Sequence, residues 1–241
     1  SEAHIRYEKK KRRIRHNGIF YAVISSASFG FSPLFSLGLL AIGLTNFDVL
    51  AYRWGIAGIV LMIYAMVKKR SLIPASFDEI WKMLLLSSLR AITSITLLIG
   101  YANISSGIAS TINFMYPVIV ALTMMFVFGE HKSWVDMGAI AVAIFGVYLL
   151  ASGDSLIVEG GNTELGLTCS IISAFSFAAY YILMKKIKAD KIEAVKFTTW
   201  MMMMSAFYFI ICAFVFEGKL TFITDGKCWM NILNTMVRYK Q

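Results

Sequence analysis

Between Ile104 and Gly153 the chain carries two apolar segments, about Ser105–Phe128 and Trp134–Ser152, separated only by Gly129-Glu130-His131-Lys132-Ser133. Each is close to the ~20 residues that cross a bilayer core as a helix. Lipid offers no partner to an exposed peptide group, so two such segments joined by so short an elbow must form an antiparallel helical hairpin. That hairpin sets the fold class expected for the whole chain, an all-α polytopic membrane helical bundle. Composition agrees, with 58% hydrophobic residues, 15% charged and a mean hydropathy of +0.69, against roughly 45 to 50% apolar content in soluble domains.

The remaining spans follow from the same logic. A basic cytoplasmic tail, 1–16, holds seven Lys and Arg between Arg6 and Arg15 and suits contact with anionic lipid. The 31 uncharged residues from Asn17 to Phe47 are too long for the core of a signal peptide and predict a first span from Gly18 to about Ala41. A second runs from about Val49 to Val67 and stops at Lys68-Lys69-Arg70; a third runs from Trp81 to about Asn103. After the hairpin come an external loop, 153–164, a sixth span Leu165–Met184, a basic loop Lys185–Lys196 and a seventh span Phe197–Phe216.

Basic residues alternate with this segmentation. The tail, the second-to-third loop, the elbow and the sixth-to-seventh loop together hold seventeen, and the intervening loops hold none until Lys219 and Lys227. Lysine and arginine mark the cytoplasmic side of a membrane protein, so the N-terminus is expected in the cytoplasm. The net charge of +9 is therefore no sign of nucleic-acid binding, because the cations sit at span ends and not along one soluble face.

Several chemistries have no visible agents. Cys169, Cys212 and Cys228 lack metal or disulfide spacing, so neither a metal nor another cofactor is expected. No nucleophile elbow, zinc-binding HExxH, phosphate loop or paired intramembrane carboxylate is present, which argues against an enzyme. His131 sits in the elbow and reads as solvated.

Arg90 is the sharpest polar feature. Eight residues beyond Lys82, it lies about 12 Å into a ~30 Å core, where a cation costs roughly 2.5 to 3.5 kcal/mol even on insertion scales. Two roles fit equally: a guanidinium fork for a carboxylate-bearing substrate, or a structural bond to helix-end carbonyls. For Arg53, just past Asp48 at the end of the second span, snorkelling or a local ion pair is the favoured reading. Helical spacing then collects small polar residues on single faces: Ser25, Ser28, Ser32 and Ser36; Ser87, Arg90, Ser94 and Tyr101; Ser106, Ser110, Asn113 and Pro117; Ser170, Ser173, Phe177 and Tyr180. On the first and last of these faces close helix packing is the favoured role, and on the other two packing and substrate contact weigh equally. Pro117 frees a backbone carbonyl and can bend its helix, while the methionines of Trp200–Met204 read as soft lipid or helix contacts.

A shift of 148 residues superposes Gly18, Ile24-Ser25, Ser28 and Phe29 on Gly166, Ile172-Ser173, Ser176 and Phe177, and also Trp81 on Trp229 and Arg90 on Arg238. With five spans per copy the second enters the membrane from the opposite side, and such repeats hold a shared site near the midplane.

Ser110, Asn113 and Pro117, followed by Gly129-Glu130, Ser133, Gly138 and Gly146-Val147, resemble the first-repeat signature of the drug/metabolite transporter superfamily, EamA type. The likeness covers about Gly18 to Lys186. It implies a first five-helix repeat over 17–152 and a second, partial repeat over 165–241, with two helices and the start of a third. The ten spans of that family lead one to expect a chain truncated after Gln241. The resemblance also implies a permease or exporter of small metabolites or drugs working by alternating access. In that reading Arg90, Asn113, Ser94, Tyr101, Ser110, Ser28, Ser32 and Tyr180 contact the substrate, Pro117 is a hinge, and homodimerisation is compatible with the sequence. A seven-helix receptor would need an outside N-terminus or a lysine in the last span for a Schiff base. A membrane-embedded transferase would need His, Asp or Glu clustered at an interface.

Overall fold

Helix boundaries in this chain are set by a few capping side chains. The computed structural model describes residues 18–20, 23–24, 35–131, 133–152 and 158–218, the side chains of residues 150 and 151 excepted. They fall into two units, one of residues 1–42 with 225–241 and one of residues 43–224. In the first, residues 35–41 are helical (α1); the basic tail, Ser28, Ser32, Trp229 and Arg238 lie outside the described residues.

The second unit opens with α2 (Asn46–Val67), whose start is fixed by extended Thr45: its hydroxyl accepts the N–H of Asp48 at 3.3 Å and satisfies one of the donors a helix start leaves open. The helix ends where Lys68-Lys69-Arg70 begin, and Lys69 takes a left-handed conformation at φ 51°. Next, α3 (Phe77–Asn103) starts with Asp78 and Glu79 in its first turn, favourable at the positive end of a helix.

The fourth span is broken. It comprises α4 (Ser106–Asn113) and α5 (Tyr116–Phe126), joined by a turn at Phe114 and Met115. Pro117 has no N–H to give the carbonyl of Asn113, four residues earlier, so the helix stops there; the N–H groups of Val118 and Ile119 converge instead on the Met115 carbonyl at 3.0 and 3.2 Å. Ser133 and Asp136 then cap each other's N–H groups and open α6 (Trp134–Ala151). Finally, α7 (Thr163–Lys186) is capped by Asn162 and α8 (Ala194–Cys212) by Glu193, the latter helix running on through a wide turn over Ala213–Glu217.

Among the described residues there is no β-strand, and five helical segments are long and apolar enough to cross a membrane: Asn46–Val67, Phe77–Asn103, Ser106–Phe126, Thr163–Lys186 and Ala194–Glu217; Trp134–Leu149 is apolar but shorter. Large side chains such as Val60, Ile63, Val142, Phe145 and Phe207 face outward, as expected where the surroundings are lipid. The chain is thus an all-α, multi-pass membrane helical bundle.

Packing pairs α3 with α7 and α2 with α8, while α4 and α5 rest on α7. The α3–α7 crossing is close because Gly100 and Gly166 sit in it: a Cβ on Gly166 would meet Ile104 Cγ2 at 2.6 Å, and one on Gly100 would meet Ser170 Oγ at 2.6 Å. Small residues let helix backbones approach where lipid supplies no hydrophobic drive. Asn103 also accepts the Asn162 N–H at 3.0 Å, tying the end of α3 to the start of α7. The methionine run makes helix contacts: Met201 belongs to a buried cluster with Met83, Leu86, Phe177, Tyr180, Ala189 and Phe197, and Met204 Sδ accepts from Ser87 Oγ at 3.6 Å.

Candidate functional site

Arg90 lies in the middle of α3, and three helices supply what surrounds it. Its guanidinium carbon stands 4.5 Å from the ring centre of Phe177, 5.3 Å from that of Trp54 and 5.5 Å from that of Tyr180. Phe177 and Tyr180 are three apart on α7 and so share a face, while Trp54 reaches in from α2. Tyr116, Tyr181 and Tyr180 are all within electrostatic reach of the guanidinium. Tyr116 and Tyr181 stack with centroids 5.0 Å apart and planes 11° from parallel, continuing the aromatic wall.

The electrostatics of this cage are one-sided. Among the described residues no carboxylate and no carbonyl is hydrogen-bonded to Arg90; its partners are ring faces, whose negative quadrupoles attract a cation but carry no charge. Arg53, one turn and a half from Asp48 on α2, stands near enough to Arg90 for the two charges to repel, with Tyr101 beside it. Trp54 is 8% exposed, and among the described residues its indole N–H has no hydrogen-bond acceptor. Arg90 and the Trp54 indole bring N–H donors to a wall of rings, a setting in which an anionic acceptor such as a carboxylate can be bound.

The other sequence-predicted residues divide into groups. Tyr180 is in the cage with Arg90. Ser94, one turn further along α3, is half-buried. Asn113 is fully buried at the end of α4, where its Oδ1 accepts from Ser173 Oγ of α7 at 3.1 Å; the same hydroxyl also lies 2.6 Å from the Ser170 carbonyl. Tyr101 and Ser110 bond to each other at 3.0 Å and join α3 to α4. Pro117 is exposed at the start of α5. Ser28 and Ser32 lie outside the described residues. Trp54, Tyr116 and Tyr181 were not anticipated; the one signal for the cage in the sequence is the spacing of Phe177 and Tyr180.

Among the described residues no group of three or more His, Cys, Asp or Glu comes together. Asp48 is fully buried although it begins a helix. The profile of the EamA-like transporter family matches residues 16–152, more than half of the chain. No curated protein matches it.

Proposed function

The chain belongs to the EamA-like transporter family, and from that premise we propose that it carries a small carboxylated solute across the inner membrane, outward, by alternating access. The family is one of membrane transporters of small molecules, which speaks against an enzyme. The observation that supports a carboxylated cargo is Arg90, a mid-membrane guanidinium with three aromatic rings around it and, among the described residues, no acid bonded to it. An arriving carboxylate would accept from the guanidinium fork and relieve the repulsion from Arg53. Tyr180 and Ser94 would flank it, and Asn113, Tyr101 and Ser110 would complete the lining. Rocking of two repeats, helped by the break at Pro117, would expose the site to each side in turn. The distribution of lysine and arginine supports a cytoplasmic N-terminus and anionic-lipid contact at the tail.

The test is uptake of radiolabelled acetate, benzoate, succinate and glutamate into everted vesicles containing the chain, with Arg90→Ala and Arg90→Lys beside it. At least one of these anions should be accumulated, Arg90→Ala should abolish its uptake, and Arg90→Lys should retain a minor part, because an ammonium lacks the planar fork. Unchanged uptake of every anion in Arg90→Ala would remove the carboxylate from the proposal.

A further inference from the structure

The segments that enter α3 and α8 hold each other at the end of the bundle that carries the basic loops. Lys196 Nζ, in the first turn of α8, lies 2.9 Å from Glu79 Oε2, in the first turn of α3, and the two side chains are only 11% and 19% exposed. Both ends of this pair are fixed locally as well. Glu79 Oε2 accepts the N–H of Ala75 at 2.9 Å, and the N–H of Lys196 is held by the Glu193 carboxylate at 2.9 Å. One turn on, the Trp200 indole N–H donates to the carbonyl of Leu72, in the loop between α2 and α3. A second ion pair, Arg70 with Glu193, spans the same loops at 3.8 Å, but its side chains are 59% and 41% exposed; water screens a pair of that kind to near insignificance. Of these two pairs Glu79–Lys196 is the better shielded from water, and removing one partner of a shielded pair leaves the other charge uncompensated.

Beneath it lies a plug. Met83 follows Glu79 by one turn and is fully buried, and with Leu86, Phe197, Met201, Phe177 and Tyr180 it forms a continuous apolar cluster. Phe177 and Tyr180 are also two of the three rings around Arg90. From Glu79 to Arg90 is eleven residues of one helix, about 16 Å. The order along the bundle is therefore a charged strap, an apolar plug and then the caged guanidinium. The strap joins the start of α3, from the first half of the chain, to α8, and the plug joins α3 to α7 and α8, both from the second half.

We infer that Glu79–Lys196, with Trp200 on the Leu72 carbonyl, is the strap that closes the path to Arg90 from the basic-loop side, so that this structure is the state shut on that side. A strap between halves is what a rocking motion must break, and a shielded ion pair sets how often it breaks. The inference rests on the transport reading above. It deepens that reading by naming the contact that opens.

The experiment reads opening without any substrate. The full chain, with Cys169, Cys212 and Cys228 replaced by serine and Ser94→Cys as reporter, is labelled in everted vesicles by a membrane-impermeant maleimide. Labelling should be slow in the parent, rise on the order of tenfold with Lys196→Gln or Glu79→Gln, and return towards the parent rate in the swapped pair E79K/K196E. The inference is overturned if neither single variant speeds labelling, or if the swap labels as fast as the singles. Should one single variant yield too little folded chain, the other single and the swap carry the same comparison. Failure of carboxylate uptake by the chain with Ser94 and its cysteines intact, beside reporter labelling that follows the pair, would sink the transport reading and leave the strap standing. Arg90-dependent uptake with labelling indifferent to the pair would sink the strap alone.

Discussion

Replacing Arg90 by methionine separates a guanidinium kept for a ligand from one kept for the fold. On insertion scales an arginine at mid-membrane costs about 2.5 to 3.5 kcal/mol, and repulsion from Arg53 adds to that. Three ring faces at 4.5 to 5.5 Å oppose it. At ~0.5 kcal/mol for each if wet and ~2 if dry, they return about 1.5 to 6 kcal/mol, centred near the cost. Methionine has similar length, packs against rings through sulfur and removes both sides of this balance. Arg90→Met should therefore change stability by no more than about 1 kcal/mol in either direction, a shift in Tm below about 4 °C for a chain of this size. A structural guanidinium bonded to buried acceptors would instead lose about 3 to 5 kcal/mol with its partner gone. The assay is thermal unfolding of the purified protein in detergent, followed by tryptophan fluorescence at one fixed scan rate, beside vesicle uptake of the carboxylates named above. A loss of 3 kcal/mol or more would refute the reasoning, as would stable protein that still accumulates carboxylate.

Two further substitutions probe the frame around the cage. Gly166→Ala places a methyl 2.6 Å from Ile104 Cγ2 and 3.1 Å from Asn103 Cβ; overpacking of about 1 to 3 kcal/mol outweighs the ~1 kcal/mol of helix propensity gained. It should lower Tm, and by less in an Ile104→Ala background, which a double-mutant cycle measures; equal losses in both backgrounds would show that the methyl does not meet Ile104. Asn113→Leu removes the acceptor of Ser173, whose hydroxyl keeps the Ser170 carbonyl at 2.6 Å. The same unfolding assay should therefore show a loss near 1 kcal/mol, and a loss above 3 kcal/mol would mean that the Asn113 amide holds more of the α4–α7 contact than this one bond.

What could be read from the sequence is what neighbours along the chain decide. Lys68-Lys69-Arg70 mark the end of α2, and the polar elbow that ends at Ser133 marks the start of α6, because interface charges and polar breaks act within one turn. Periodicity also put Phe177 and Tyr180 on one face. Partners across helices were not readable in the same way. Trp54, Arg90 and Phe177 come from α2, α3 and α7, and nothing local to any of them signals the other two. Pro117 announced a bend, yet the helix stops at Asn113, where the missing N–H is felt, and not at the proline. Arg53 reads as snorkelling or pairing locally, and nothing in its own helix signals that it also stands within electrostatic reach of Arg90.

The same distinction explains why Arg90 gathers rings and not acids. A carboxylate at this depth would neutralise the guanidinium permanently and compete with any anionic ligand for the fork. Aromatic faces offset part of the desolvation cost while leaving the N–H donors unmatched, so the attraction for an arriving carboxylate is preserved. Phe177 and Tyr180 belong both to the cage and to the plug beneath the Glu79–Lys196 pair. A ligand that draws the guanidinium off those rings must therefore disturb the packing that the strap holds shut, and occupancy and opening become coupled through two side chains on one face of α7.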